Sequence, residues 1–343
     1  MLEKILLGTY TRRVSKGIHE IVLDTEKGEL STAELVAEAK GPTYVTLSKA
    51  GNLYSVIEVG EEGGAGAFKP KDEQAFELLN AVTEQGAPHC YVAVDEDRQL
   101  MYGANYHRGM VYSHRILKDG SLELADRITH DEATGPHENQ NNAHVHYTDL
   151  TPDNRLVVCD LGTDRVYTYD VAADGKLTEA AQYVAEPGTG PRHLVFHPNE
   201  KLAYMFGELD NTVTVLAYDA ATGTFSQKQK VSTLPEDFTE FSGGAAIRIS
   251  KDGRFLYASN RGHNSLAVYA VTEDGNHIEL IQLISTEGDF PRDFDLNATD
   301  EYIVAANQNT DNLTLYRRDK ETGLLTMIQK DVYAPECVCV YFK

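Results

Sequence analysis

The sequence predicts an all-β chain, a seven-bladed β-propeller with four antiparallel strands per blade, its ring closed by the C-terminal strand joining the N-terminal blade. Three observations carry this. A unit of apolar strand, polar turn and second strand recurs, ending near Tyr54, Tyr102, Val158, Tyr204, Tyr257 and Val304, at intervals of 48, 56, 46, 53 and 47 residues by subtraction. A period of this size marks a repeat architecture, whose units bury their apolar faces only against neighbours. Each unit holds short runs of period-two alternation, as in Thr212-Val213-Thr214-Val215, and no long helical pattern. The two ends are also complementary: the first unit lacks one strand, and the C-terminus supplies it.

The unit beginning at Arg192 shows the order. Arg192 to Phe196 is strand A, His197 to Lys201 a turn, Leu202 to Gly207 strand B, Asn211 to Asp219 strand C and Phe225 to Ser232 strand D. Turn chemistry recurs between strands, in Thr151-Pro152-Asp153-Asn154, His197-Pro198-Asn199 and Lys251-Asp252-Gly253, and in C–D connections such as Asp119-Gly120 and Glu321-Thr322-Gly323. At the ends, Lys4 to Tyr10 matches strand B, Gly17 to Asp24 strand C and Leu30 to Ala39 strand D, while Glu336 to Phe342 matches strand A. Residues 1–343 thus read as a single propeller domain. The run Gly63-Gly64-Ala65-Gly66 has neither the strand-to-helix setting nor the Lys-Ser/Thr of a nucleotide loop, and reads as a flexible connection. Trp is absent, so the Trp-Asp dipeptide of the commonest propeller repeat is missing.

Charge excludes some functions. Fifty-three acidic residues against 31 basic ones give a net charge of -22, which argues against nucleic acid as a partner. No stretch approaches the about 18 apolar residues of a membrane span, and Met1 to Tyr10 lacks the features of a signal peptide. Cys90, Cys159, Cys337 and Cys339 fit no disulfide framework, which suggests a reducing cytoplasm. Cys337 and Cys339 share one strand face and read as buried core thiols.

Strands alternate in direction, so the starts of strand A and the ends of strand B surround one mouth of the central channel. The first row is Thr43, Cys90, His146, Arg192, Ala245, Arg292 and Glu336. The second is Glu58, Tyr106, Gly162, Glu208, Arg261, Gln308 and Tyr10. Scaffold columns should agree between units; these diverge in polar residues. The two longest intervals insert residues at this mouth, 131–143 and 234–243, and long loops on a rigid scaffold often carry function. His146, Arg192, Glu208, Arg261 and Arg292 form a set suited to an anionic, oxygen-rich ligand: Arg pairs bidentately with carboxylate or phosphate, and His serves as general base near neutral pH. The alternative is that they tie blades together. His130, His137, His144 and His146 near the first insertion raise a metal site, but solvated loop histidines are the simpler reading, and no metal is expected. His89 opens another strand A and reaches toward the mouth.

At these residues the sequence resembles the seven-bladed propeller lactonases, a family of cycloisomerase-type 6-phosphogluconolactonases and carboxy-cis,cis-muconate lactonizing enzymes. The resemblance covers essentially the whole chain. It is carried by Gly8-Thr9-Tyr10-Thr11, His144-Val145-His146, Gly190-Pro191-Arg192-His193 through Pro198, Glu208, Ser259-Asn260-Arg261-Gly262-His263-Asn264-Ser265, Pro291-Arg292-Asp293-Phe294 and Ala306-Asn307-Gln308. It implies His146, Arg192, Glu208 and Arg261 as catalytic residues, with Arg292, His144, His193, Gln308 and His89 on the substrate and no cofactor. The implied activity is hydrolysis of a sugar lactone, 6-phosphogluconolactone first, within the pentose phosphate pathway. A muconate-type cycloisomerase and a non-catalytic propeller binding an anionic metabolite or a protein are the alternatives. Two departures bear on the substrate: Ala246 stands where the family often has Glu, and Glu138-Asn139-Gln140-Asn141-Asn142-Ala143 replaces an Arg-Gln followed by Gly-Pro.

Overall fold

The computed structural model describes residues 1–72 and 74–343, and every regular element among them is a strand. The strands form seven antiparallel sheets. In six of them four consecutive strands pair in sequence order, as predicted, from Val45–Leu47 in the first to Leu325–Tyr333 in the last. The seventh sheet joins the termini: Cys337–Phe342 pairs with Leu2–Thr9, which pairs with Gly17–Asp24. Its outer strand is broken into Glu29–Leu30 and Glu34–Glu38. Each inner strand touches the next around the ring, and Cys337–Phe342 touches Val45–Leu47, so the circle closes. Closure of this kind leaves only short, protected sheet edges, with the inner ones facing the channel.

The core lies between blades rather than within them. Ile5, Leu7 and Ile21 of the first blade pack against Val304, Leu313 and Leu315 of the last, and similar clusters fill the other seams. Tyrosines of the second strands latch neighbouring blades. The hydroxyls of Tyr54, Tyr204 and Tyr257 donate to the carbonyls of Gly120, Gly275 and Gly323, each at the C–D turn of the following blade. Tyr302, two residues before Val304 and on the same strand face, does the same to Thr25 across the closing seam. The aromatic column is therefore a set of buried hydrogen-bond donors as well as apolar bulk. A second column, Asn105, Asn260 and Asn307, stands at or next to the end of the second strand in three blades. These carboxamides donate to the carbonyls of Ala87, Thr233 and Thr286 and hold the loop that leads into the same blade's inner strand.

One expectation fails here. Gly63-Gly64-Ala65-Gly66 is no flexible connection; it lies inside the strand Glu62–Pro70 and is buried. Its glycines answer to crowding: a Cβ on Gly63 would stand 2.2 Å from Pro88 N, and one on Gly64 2.0 Å from Val82 O. Glycine in a strand marks close approach of another backbone, and composition alone does not distinguish that from a linker.

Tyr204→Phe should strand the buried Gly275 carbonyl and cost about 1–2 kcal/mol. Urea denaturation reads this as a lower midpoint at unchanged slope; an unchanged midpoint would remove the latch role.

Candidate active site

The inner strands share a local distortion where they reach the mouth. His146 sits unpaired between the pairs Val145–Asp160 and Tyr147–Cys159. Arg192 and Arg292 are skipped in the same way, and so is Val338 in the closing strand. Cys90 and Tyr91 both face Ala104, and the Ala245–Ala246 pair faces Ser259. A β-bulge places two residues against one and re-aims the extra side chain. Bulges repeated around the ring turn His146, Arg192 and Arg292 into the channel.

These three side chains line a cavity of about 440 Å³ together with Glu208 and Arg261, so the five residues grouped by sequence do meet. Glu208 is the hub. Its Oε2 lies 3.0 Å from Arg192 Nε and 2.9 Å from Arg261 Nη2. The Arg192 contact is off the N–H axis and therefore ionic; the Nη1 of Arg192 donates to His193 Nε2 at 3.3 Å. Arg261 is held from behind by the carbonyls of Gly243 and Gly244, at 3.3 and 2.8 Å. A Cβ on Gly243 would stand 3.2 Å from Arg261 Nη2, so a side chain there would press on the guanidinium.

Burial and charge set the protonation states. Burial pushes the Glu208 carboxyl up, but Arg261, Arg192 and Arg292 together hold it below its ordinary value, so it is ionised. Burial, then Arg261, pulls the Arg192 guanidinium down to about 9, still cationic at neutral pH. His146 falls well below its ordinary value of 6.5 through burial and then Arg192, Arg292 and Arg261, so the imidazole is neutral. Its Nδ1 is buried without a hydrogen-bond partner among the described residues, leaving Nε2 for the cavity. Burial and Glu208 raise the nearby Tyr106 phenol to about 12.

The remaining predicted residues divide. His89 and His193 line the cavity, both buried and both pushed well below the ordinary histidine value by burial. His144 stays outside: it stacks on Tyr106 at 4.2 Å, with its ring nitrogens 2.8 Å from the Tyr106 carbonyl and 3.1 Å from Asn141 Oδ1. Gln308 touches the site only through Arg292 Nη1, at 3.4 Å. His130 is engaged by Asp160 and Tyr169, and His137 Nδ1 accepts from the Asn139 N–H, so these histidines do not converge; among the described residues no three potential ligands cluster as a metal site. Glu336 needs correction. Register places Val338, not Glu336, at the bulge, because Cys337 pairs with Thr9. The Glu336 carboxylate instead turns back to accept the backbone N–H groups of Arg12, Arg13, Val14 and Ser15.

Four polar side chains of the cavity escaped the sequence reading: Arg12, Tyr44, His107 and Asp293. Arg12 and His107 fall just past the ends of second strands, beyond the column compared; extending it by two positions would have reached them. Asp293 sits in a quoted motif, but its partner Arg248, at 3.0 Å, belongs to the neighbouring blade and gives no signal in the sequence.

The ring carries, at one mouth of its channel, a cavity lined by Arg12, Arg192, Arg261 and Arg292 with Glu208 among them. Residues 4–342 match the family model "Lactonase, 7-bladed beta-propeller". The 6-phosphogluconolactonase of Bacillus subtilis is 43% identical over 339 residues, covering 98% of this chain and 97% of that protein. A solved Lactobacillus plantarum protein is 52% identical with a TM-score of 0.98 over 100% of both chains. The periplasmic gluconolactonase of Pseudomonas aeruginosa is 30% identical with a TM-score of 0.93, over 100% of this chain and 99% of that one. The chain belongs to the seven-bladed β-propeller lactonase family.

The Glu336 carboxyl is held below its ordinary value: burial raises it, but the N–H groups of the 12–15 turn lower it further. Its contribution to stability is therefore present at neutral pH and is lost as pH falls through that depressed value. Glu336→Ala should leave those N–H groups without their acceptor and cost about 2–3 kcal/mol, with faster proteolysis between residues 11 and 16. Unchanged stability and cleavage would refute the stapling role.

Proposed function

We propose that this chain hydrolyses a sugar lactone bearing an anionic group, with 6-phosphogluconolactone as its substrate. The observation that carries the reading is the Glu208-bridged pair Arg192 and Arg261 beside a neutral His146 inside one cavity. The name of the Bacillus relative supports the choice of lactone. A volume of about 440 Å³ suits a phosphorylated sugar ring.

His146 Nε2 takes a proton from water as its oxygen attacks the lactone carbonyl. Arg192 has Nη1 on His193 and Nε against Glu208, which leaves Nη2 for the oxyanion. The tetrahedral intermediate then collapses, the ring C–O bond breaks, and the imidazolium returns its proton to the departing alkoxide, giving the hydroxy acid. Glu208 fixes the two guanidinium groups rather than orienting His146, since the partners of its carboxylate are both arginines. The surrounding arginines make a free imidazolium costly. An anionic substrate offsets their charge and so strengthens His146 as a base when the cavity is filled. Four free cysteines agree with a cytoplasmic setting; the periplasmic location is that of the Pseudomonas protein. Among the described residues no helix is long and apolar enough to cross a membrane.

In a lactone panel corrected for spontaneous hydrolysis, Arg192→Ala should lower kcat/KM by about 100-fold or more while the circular dichroism spectrum is retained. Full activity in that variant would overturn the assignment. Turnover of a muconate-type dicarboxylate instead, or stabilisation by 6-phosphogluconate without turnover, would replace lactone hydrolysis by cycloisomerisation or by binding alone. By NMR, His146 should remain neutral as pH falls through 6.5 in the free protein and titrate at higher pH once 6-phosphogluconate is bound. A free-state midpoint at 6.5 would contradict this role.

A further inference from the structure

The arginines of the cavity fall into two sets. Arg192 and Arg261 share the Glu208 carboxylate. Arg292 and Arg12 also line the cavity, yet among the described residues neither has a carboxylate within ion-pair distance. Both instead approach one ring: the Arg12 guanidinium carbon lies 3.9 Å from the Tyr10 centroid and that of Arg292 lies 5.7 Å from it. Cation–π contact orients a guanidinium without neutralising it.

Position is imposed on Arg12 by the chain around it. The Tyr10 N–H donates to the Glu336 carbonyl, and the N–H groups of residues 12–15 grip the Glu336 carboxylate. Arg13 is turned outward into a two-pronged contact with Asp311, at 3.0 and 2.7 Å. Of the two successive arginines, one therefore fastens the loop to the closing blade, and the other is left over the cavity rim, exposed and uncompensated. Arg292 depresses both His146 and Arg192, which places its charge beside the reacting groups. The nearby group that Arg12 depresses is His107, at the rim, after burial and His144.

We infer that Arg12, with Arg292, forms a phosphate subsite at the rim that selects lactones carrying a phosphoryl group remote from the ring carbonyl. This rests on the lactonase reading above. Two unpaired guanidinium groups match a dianion: each fork donates two N–H groups to phosphate oxygens. The Glu208-bound pair carries only one net positive charge, which suits the single developing charge of an oxyanion.

The test compares kcat/KM on 6-phosphogluconolactone with kcat/KM on glucono-1,5-lactone in the full-length protein. In Arg12→Ala the ratio between the two should fall about tenfold or more, the loss of one charge-assisted hydrogen-bonded pair. A ratio unchanged within about twofold, or an equal fall on both substrates, would overturn the subsite. Calorimetry with 6-phosphogluconate and gluconate separates this from the lactonase reading. If wild type shows no turnover above the blank, the reading of the reaction fails. The subsite then stands if wild type prefers the phosphorylated acid and Arg12→Ala loses that preference about tenfold, and it falls if the preference is absent or survives the substitution.

Discussion

The pairing of Cys337–Phe342 with Leu2–Thr9 is the constraint on which the rest depends. It gives the first blade an inner strand and completes the apolar seam between Ile5, Leu7, Val304 and Leu315. It also fixes the circumference of the channel. Glu336 immediately precedes the closing strand, and its carboxylate organises the turn after Tyr10. One antiparallel ladder thus connects the far ends of the chain and sets one wall of the cavity. Without it, Tyr10 and Arg12 would have no fixed relation to Arg292, about 280 residues away in sequence.

Within that ring, function comes from a repeated irregularity. A regular inner strand alternates its side chains between two blade seams, both apolar. The bulge breaks the alternation at one level, and there the seam gives way to a channel holding His146, Arg192 and Arg292. Where the bulge carries Val338 or Ala245–Ala246, the residues it re-aims are apolar. The scaffold needs the bulge in nearly every blade; chemistry needs a polar residue in only some of them.

The electrostatics oppose the bulk charge. A chain of net charge -22 concentrates Arg192, Arg261, Arg292 and Arg12 at one cavity, with Glu208 as their closest internal counter-charge. Buried guanidinium groups need a partner, and Glu208 serves two of them. Their field keeps His146 neutral and leaves positive potential for an incoming anion. The acidic exterior around a basic well favours entry of an anionic ligand to its mouth over adsorption elsewhere on the surface.

The sequence alone determined the blade count, the strand order and the joining of the termini, because alternation and turn chemistry are local and repeat seven times. Comparing columns also found His146, Arg192, Glu208, Arg261 and Arg292, since a residue that breaks an otherwise apolar column is visible without coordinates. What the tertiary structure decided was register and reach. The observed register moved the closing-strand position by two residues, from Glu336 to Val338. The stack of His144 on Tyr106 keeps out of the cavity a histidine that the resemblance implies on the substrate. Close backbone approach at Gly63 and Gly64 marks as strand a run that composition alone reads as linker. Arg12 and Arg13 are the same residue type, and contacts of their loop with Glu336 and of Arg13 with Asp311 on the last blade decide which of them faces the cavity. Such choices depend on contacts between distant segments, and no local pattern encodes them.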